Sequence, residues 1–286
     1  HIPVVQSTSH GIGRLRRSLD ALGYETKTIT FTTDKKTVEA CNVISVVQPK
    51  FAFAPSEIKK LEQFLLDGGA LLVFLDLGYE LGAWTQFLER RGVALAYNVV
   101  VDEAQHYEND NEALAISSYP QHVISEDIAM TIIPGARSII LAKEQTGLVP
   151  IVTASPTAKT VQLNHSHHDD NRIDDSTQKR IGEGDSPPVL MAATARQNEK
   201  TRFLIAGDAD FLTNSYYPYL SNSGLALSIY RWASNERKGV NAEPAIPVFQ
   251  TLTLSQMQMK ALFIGLVFGV PGGVLLIGLL VWWRQK

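Results

Sequence analysis

The chain has 286 residues, with 26 Lys or Arg and 29 Asp or Glu, so its charge is nearly balanced. It has no basic stripe, and we therefore expect no nucleic-acid partner. Cys41 is the only cysteine, which excludes an internal disulfide bond and a cysteine-based zinc site. One thiol suits either a reducing compartment or a bacterial periplasm. Because His1 follows no initiator Met or signal-peptide pattern, we expect a further piece upstream of it.

The first part of the chain alternates segments of strand character with segments of helical spacing. The apolar runs 41–47 and 70–75 are typical of parallel strands that are buried on both faces. This order predicts an α/β fold with a doubly wound, mostly parallel sheet. The predicted strands are 1–6, 24–31, 41–47 and 70–75, and the predicted helices are 12–22, 55–67 and 81–90.

The second part of the chain predicts a β-rich insertion, a return to the sheet and a membrane segment. Residues 1–235 form the predicted α/β domain, 236–256 a linker, and 257–286 a transmembrane helix with a short tail. The stretch 163–188 is polar and rich in turn residues, so we expect an exposed excursion there. The other predicted elements are strands in 99–102, 124–141, 149–154, 189–196 and 202–207 and a helix over 223–233.

The segment from Ala261 to Trp283 contains no charged residue over 23 positions. A helix of that length reaches ~34 Å, which is enough to cross a hydrocarbon core. The sequence therefore predicts one C-terminal membrane span; a buried core helix is the alternative. Its glycines predict a face that packs against a partner helix within the lipid bilayer. These glycines are Gly265, Gly269, Gly272 and Gly273.

Basic residues flank the predicted span unevenly, because Arg284 and Lys286 follow it and only Lys260 closely precedes it. The positive-inside rule then favours a cytoplasmic C-terminus and a periplasmic or extracellular domain, anchored in the cytoplasmic (inner) membrane. The opposite arrangement, a tail-anchored protein with a cytosolic domain, is the alternative.

Polar side chains follow three of the predicted strands, where open α/β sheets bind ligands. His10 lies in the loop after the first strand, Asp76 follows the strand 70–75, and Asp208 and Asp210 follow the strand 202–207. The carboxylates have the chemistry to hold a ligand or to act as acid and base. Alternatively, these side chains cap their own loops. We take the four residues as ligand-binding candidates.

Other motifs of catalytic or metal-binding proteins are weak in this chain. The cluster of His165, His167 and His168 with Asp169 and Asp170 has the side chains of a divalent-metal site, although a solvated loop is the alternative. No G-x-S-x-G elbow supplies a nucleophile. We therefore predict no resident metal or cofactor and no covalent catalysis.

Several segments follow one another in the order of a known family. They are Ser9-His10-Gly11 with the helix to Tyr24, Val43 to Pro49, Phe53 to Glu57, Leu61 to Leu72, Tyr119 to Ile124, Ile133 to Ser138, Arg202 to Asn214 and Val248 to Lys286. Together they resemble the auxiliary components of ABC transport systems related to the gliding-motility transporter family. The likeness covers most of the chain, with two departures: that family usually also has an N-terminal membrane segment, absent here, and its opening motif usually carries Gly-His-Gly-Glu, whereas this chain has Ser9-His10-Gly11-Ile12. The resemblance implies a class I glutamine amidotransferase-like domain that has lost its catalytic residues.

The leading functional prediction is a non-enzymatic, membrane-anchored accessory subunit of an ABC-type transporter. Its domain would bind a partner protein or a substrate outside the membrane, and its partners would be the permease and ATPase subunits. The alternative is a membrane-anchored hydrolase or sugar-active enzyme that uses His10, Asp76, Asp208 and Asp210. That alternative requires the four side chains to converge and the carboxylates to have raised pKa values.

Overall fold

The computed structural model describes residues 8–29, 40–49, 51–77, 82–142, 147–163, 186–194 and 201–235. Near the C-terminus it describes positions 267, 272, 273, 275 and 282–284. The chain divides into two compact units, His1–Ile246 and Pro247–Lys286. The helices and strands below belong to the first unit.

The described residues of the first unit form α-helices, β-strands and one short 3-10 helix at Asp210–Leu212. The helices are α1 (Gly13–Ala21), α2 (Pro55–Leu66), α3 (Ala83–Glu89) and α4 (Asn222–Ser234). The first six strands are β1 (Val43–Val47), β2 (Ala70–Phe74), β3 (Val93–Leu95), β4 (Asn98–Val101), β5 (His106–Tyr107) and β6 (Asp110–Ile116). The others are β7 (Thr131–Pro134), β8 (Ile139–Leu141), β9 (Leu148–Thr153), β10 (Lys159–Gln162), β11 (Val189–Thr194) and β12 (Arg202–Ala206).

The main sheet has the strand order β1-β2-β12-β11-β8-β3, and β9 also pairs with β11. Among the described strands of this sheet, only the pairs β1–β2 and β2–β12 are parallel. Strand β11 runs antiparallel to β12, β8 and β9, and β3 runs antiparallel to β8. The sheet is therefore mixed, and the prediction of a doubly wound, mostly parallel sheet is wrong.

The direction of β11 has a simple cause in the length of the next connection. Only residues 195–201 separate β11 from β12. A parallel neighbour needs a crossover of about a dozen residues or more, whereas a short connection joins antiparallel strands. Strands β4 and β10 form a separate antiparallel pair, and β5, β6 and β7 form a small antiparallel sheet.

The parallel part of the main sheet is buried on both faces. Along β2, Ala70, Leu72 and Phe74 join one apolar cluster, which also contains residues of α1 and α4. The alternate residues Leu71 and Val73 join a second cluster, with residues of α2 and α3. Successive side chains of a strand point to opposite faces, so burial on both faces produces the continuous apolar runs seen in the sequence.

Within the residues that the structure describes, no helix combines the length and the apolar character needed to cross a bilayer. This finding contradicts the predicted single C-terminal span from Ala261 to Trp283 and the membrane localisation inferred from it. Most positions of that segment lie outside the described residues. Its described positions are Val267, Gly272, Gly273, Leu275, Trp282 and Trp283.

Other predictions fall partly or wholly outside the described residues. These are the strand 1–6, residues 164–185 of the excursion and the linker 236–256. The predicted strand 24–31 is described only as far as Ile29, and residues 24–29 form neither helix nor strand. The strands predicted for 41–47, 70–75 and 202–207 are confirmed, with ends shifted by one or two residues.

Candidate functional site

Three aspartates meet at the carboxyl edge of the parallel strands. The residues Phe74 and Ala206 are partners in the register of β2 and β12, so the segments that follow the two strands leave the sheet side by side. Asp76 lies two residues beyond β2, and Asp208 lies two residues beyond β12. Asp210 begins the 3-10 helix that follows. We call these three residues the aspartate cluster.

The Asp76 carboxylate accepts hydrogen bonds on both oxygens. Its Oδ1 accepts the main-chain N–H of Ala209 at 2.6 Å, and its Oδ2 accepts the side-chain amide of Gln48. Gln48 follows β1, and its own N–H donates to the carbonyl oxygen of Phe74 at 3.0 Å. Its φ of +40° is unusual for a residue with a side chain. The carboxylate thus joins the segments that follow three adjacent strands.

The Asp208 side chain is buried, with 3% of its surface exposed. Its Oδ1 accepts the N–H of Asp210 at 3.0 Å, and its Oδ2 accepts the N–H of Phe211 at 3.2 Å. These N–H groups begin the 3-10 helix and have no partner within it. Asp208 therefore caps the turn that places Asp210.

The aspartate cluster has a consistent electrostatic signature. Burial, reinforced by the charge of Asp210, raises the pKa of Asp76 to about 7. Burial and the charges of Asp76 and Asp210 raise the pKa of Asp208 well above its usual range. Burial also raises the pKa of Asp210, an effect that His10 opposes. The charge of Asp210 thus disfavours ionisation of Asp76 and Asp208, and that of Asp76 disfavours ionisation of Asp208, because like charges repel strongly where water is excluded.

Arg137 supplies a buried cation beside the cluster. Its Nε donates to the carbonyl oxygen of Ala96 at 2.8 Å, and its Nη1 lies 3.4 Å from the carbonyl oxygen of Asp76. Burial lowers the pKa of Arg137, and the charge of Asp76 acts in the opposite direction. The guanidinium therefore hydrogen-bonds to main-chain carbonyl oxygens, and it acts on the Asp76 carboxylate through its charge.

The approach of Arg137 depends on Gly207. The N–H of Arg137 donates to the carbonyl oxygen of Gly207 at 3.0 Å. A Cβ at position 207 would lie 2.2 Å from the carbonyl oxygen of Arg137, which is a severe clash. The two backbones can meet only because residue 207 has no side chain.

His10 lies on an exposed loop that is tied to the segment after the cluster. The side-chain amide of Asn214 donates to the carbonyl oxygen of Thr8 at 2.8 Å. The main-chain N–H of Asn214 donates to the carbonyl oxygen of Gly11 at 2.7 Å. The N–H of Ser215 donates to the carbonyl oxygen of Ser9 at 3.1 Å. These bonds hold His10 on the Asp210 side of the cluster, where its charge lowers the pKa of that carboxyl.

The four ligand-binding candidates thus occupy one edge of the sheet, but the other predicted site residues do not join them. His165, His167 and His168 lie outside the described residues, as do Gly265 and Gly269. Gly272 and Gly273 are described, and a Cβ built on either would meet no atom within 4 Å. The part of the chain that the structure describes contains no group of three or more His, Cys, Asp or Glu residues arranged to hold a metal ion.

Two further polar residues of this edge, Gln48 and Arg137, are not among the four predicted ligand-binding candidates. Gln48 follows directly on the buried strand β1, which is the same signal that identifies Asp76 and Asp208. Arg137 is the only charged residue between Ile132 and Leu141, and a single cation inside an apolar run is a sign of a buried charge. Both signals are present in the sequence.

No family model matches the chain, and no curated protein matches it in sequence. Among solved structures, the chain is similar to the mmIFT52 N-terminal domain with a TM-score of 0.62 and 14% sequence identity. That match covers 82% of this chain and 96% of the other. The likeness shows that the two chains share a fold, and at this identity it shows nothing further.

The comparison therefore bears on the fold and not on the class of protein. The doubly wound fold class is contradicted by the mixed sheet, which belongs to a fold shared with the IFT52 domain. The prediction of a single-pass membrane component is contradicted by the described residues, which contain no helix able to cross a bilayer. None of the matches tests the resemblance to the gliding-motility transporter family or the predicted permease and ATPase partners, which stay predictions.

Proposed function

We propose that the domain is a non-enzymatic binding module for a partner protein. The observation that carries the proposal is the way in which the aspartate cluster is used. Both carboxylate oxygens of Asp76 and both of Asp208 accept hydrogen bonds from this chain's own N–H groups. The cluster joins the ends of the parallel strands and builds the turn at Asp210–Leu212, which is a structural task.

Catalysis needs a side chain that faces the reacting atoms. The residues that directly follow β1, β2 and β12 are Gln48, Leu75-Asp76 and Gly207-Asp208, and none of them is a Ser, Thr or Cys nucleophile. A general acid or base must lie within hydrogen-bond reach of a substrate proton. The carboxylate oxygens of Asp76 and Asp208 already accept hydrogen bonds from the protein itself, so they are not free to act on a substrate proton. We therefore favour a binding role over catalysis.

An enzymatic function is the second candidate, and one observation favours it. Among the hydrogen bonds that the structure describes, none reaches the carboxylate of Asp210, which lies on the His10 side of the cluster. A carboxylic acid with a raised pKa beside a histidine is a suitable acid–base pair for hydrolysis of a glycoside or an ester. Burial would then raise the pKa of Asp210, against the opposing charge of His10.

The two functions are separated by variants of Asp210 and His10. We would tag the full chain in its own cells, crosslink it and identify the proteins bound to it. Each candidate partner would then be purified and tested for binding to the purified chain. The binding proposal predicts that at least one complex re-forms, with the same affinity for the wild type and for the His10→Ala variant. The wild type and the Asp210→Asn and His10→Ala variants are assayed for hydrolysis of chromogenic glycosides and esters.

The outcomes point in opposite directions. A re-formed complex together with no hydrolysis supports the binding module. Hydrolysis by the wild type that falls at least about a hundredfold in Asp210→Asn would establish the enzyme instead. Failure of every candidate complex to re-form from purified proteins contradicts the binding proposal.

A further inference from the structure

Three tyrosines, of which Tyr219 is exposed and Tyr107 and Tyr216 are half-buried, lie together next to the aspartate cluster. The rings of Tyr107 and Tyr219 pack edge to face with centroids 5.8 Å apart, and the ring of Tyr216 lies 6.1 Å from that of Tyr219. Met130 and Leu220 extend the surface, with 39% and 54% of their areas exposed. We call these five residues the tyrosine surface. Its members come from the β5–β6 hairpin, the segment before β7 and the segment before α4.

Buried hydrogen bonds fix this surface in place. The fully buried Asn222 accepts the N–H of Ile132 at 2.8 Å and donates to the carbonyl oxygens of Ile132 and Tyr216. The N–H of Ser221 donates to the carbonyl oxygen of Met130 at 2.8 Å. Leu220 is held at φ +46°, a costly conformation for a leucine, with its side chain directed outward. A rigid surface loses little entropy when it binds a partner.

The two segments that supply the tyrosine surface are acidic, although the charge of the whole chain is nearly balanced. The segment 92–136 contains seven Asp or Glu residues and no Lys or Arg, and the segment 203–230 contains two acidic residues and again no Lys or Arg. Four of the acids are close neighbours of the tyrosines. Glu108 hydrogen-bonds the hydroxyl of Tyr107, and the charges of Asp110, Asp208 and Asp210 add to the burial that raises the pKa of Tyr216.

We infer that the tyrosine surface binds a basic segment of a partner protein, through arginine or lysine side chains that lie on the tyrosine rings. The inference rests on the proposed binding function and names its surface. Aromatic faces attract cations, and exposed aromatic residues rimmed by carboxylates complement a basic peptide in charge as well as in shape. An acidic partner or a nucleic acid would be repelled by the same rim.

The test uses the full chain and a fluorescein-labelled peptide in which arginine alternates with glycine and serine. A matched peptide carries citrulline in place of arginine, which keeps the size of the side chain and removes its charge. We expect fluorescence anisotropy to show binding of the arginine peptide that weakens as salt is added, and about tenfold weaker binding of the citrulline peptide. Equal affinity for the two peptides would overturn the inference.

Variants locate the binding on the surface. Tyr219→Ala, and the pair Glu108→Gln with Asp110→Asn, should each weaken binding about tenfold, whereas Tyr219→Phe, which keeps the ring, should retain most of it. Glu89→Gln on α3 and Leu66→Ala on α2 are matched changes at exposed sites elsewhere and should have no effect. Unchanged binding by Tyr219→Ala contradicts the inference. So does a dimer in analytical ultracentrifugation that Tyr219→Ala dissociates, since a second copy would then occupy the surface.

The natural partner separates failure of this inference from failure of the proposed function. If a complex re-forms from purified proteins with equal affinity for wild type and Tyr219→Ala, the domain is a binding module that uses another surface. If no complex re-forms, the proposed function itself fails, regardless of the affinities measured for the two peptides. A complex that Tyr219→Ala weakens and Glu89→Gln does not supports both.

Discussion

The main-chain N–H of Ala209 donates a 2.6 Å hydrogen bond to the carboxylate of Asp76, joining the segments that follow β2 and β12. The bond explains how an acid can be retained at the edge of a buried sheet. Transfer of a carboxylate from water is costly unless hydrogen bonds replace its hydration. Here Ala209 and Gln48 provide that replacement, while Asp210 works against it.

The first prediction concerns the pH dependence of stability. In the unfolded chain, Asp76 loses its proton near its ordinary pKa of 3.8, whereas in the folded chain it keeps the proton up to about pH 7. The folded state therefore binds more protons between these values, and stability falls as pH rises through that window. We expect urea denaturation to show a loss of about 1–3 kcal/mol between pH 4 and pH 7, most of it from the aspartate cluster.

The variant Asp210→Asn tests the origin of that loss. It removes the neighbouring charge that raises the pKa of Asp76, so the Asp76 pKa should fall and the folded protein should lose less stability on going to neutral pH. Carbonyl-detected NMR titration measures the pKa directly. Glu89→Gln, which removes an exposed charge at the end of α3, is the control. An unchanged Asp76 titration in Asp210→Asn would show that burial alone sets the pKa.

Arg137 should act on Asp76 in the opposite direction. Its charge lowers the pKa of that carboxyl, so Arg137→Met should raise the Asp76 pKa above the wild-type value. The variant also leaves the carbonyl oxygens of Ala96 and Asp76 without their donor, and we expect a loss of about 2–4 kcal/mol in the free energy of unfolding.

Arg90→Met provides the comparison for Arg137→Met. Arg90 is exposed and pairs with Glu62 at 3.0 Å on the surface, so its replacement should change stability by less than about 0.5 kcal/mol. Arg137→Lys keeps the charge but loses the planar fork, and it should preserve the Asp76 pKa better than it preserves stability. If Arg137→Met lowers the Asp76 pKa, the electrostatic account of the cluster is wrong.

The sequence predicts the site better than it predicts the sheet. Asp76 and Asp208 can be placed at one edge because each follows an apolar run, and such runs predict strands buried on both faces. The direction of β11 depends on a pairing with β12 that hydrophobic pattern does not encode; the short connection 195–201 is the only local sign. The tyrosine surface is harder still, because Tyr107 and Tyr219 are brought together by Asn222 and the small sheet, far apart along the chain.

Two glycine-to-alanine variants should have opposite effects. In Gly207→Ala the new Cβ would lie 2.2 Å from the carbonyl oxygen of Arg137, so a backbone must shift, and we expect a loss of about 2–4 kcal/mol. Gly224 lies within α4, and in Gly224→Ala the new Cβ would meet only the Cδ1 of Ile128, at an ordinary contact distance of 3.7 Å. Alanine favours a helix over glycine by up to about 1 kcal/mol, so this variant should be neutral or more stable. Thermal unfolding compares them, and equal losses would refute the close approach at Gly207.

The last prediction concerns Asn222, which holds the tyrosine surface against β7. Asn222→Ala removes the acceptor for the N–H of Ile132 and the donor for the carbonyl oxygens of Ile132 and Tyr216. Three buried main-chain groups then lack partners, and we expect a loss of about 2–4 kcal/mol. The main-chain amides of residues 216–221 should exchange with deuterium faster. The exchange rates of the β2 and β12 amides should rise only as far as the global loss of stability requires.

Asn222→Asp distinguishes the two halves of this bonding. The aspartate keeps an oxygen for the N–H of Ile132 but places a carboxylate against the carbonyl oxygens of Ile132 and Tyr216. Its folded-state pKa should therefore be raised, because a protonated carboxyl can still donate one hydrogen bond there. The variant should be most stable at low pH and lose stability as pH rises. Asn235→Asp, at the exposed end of α4, is the matched control, and a pH dependence shared by both variants would contradict the role assigned to Asn222.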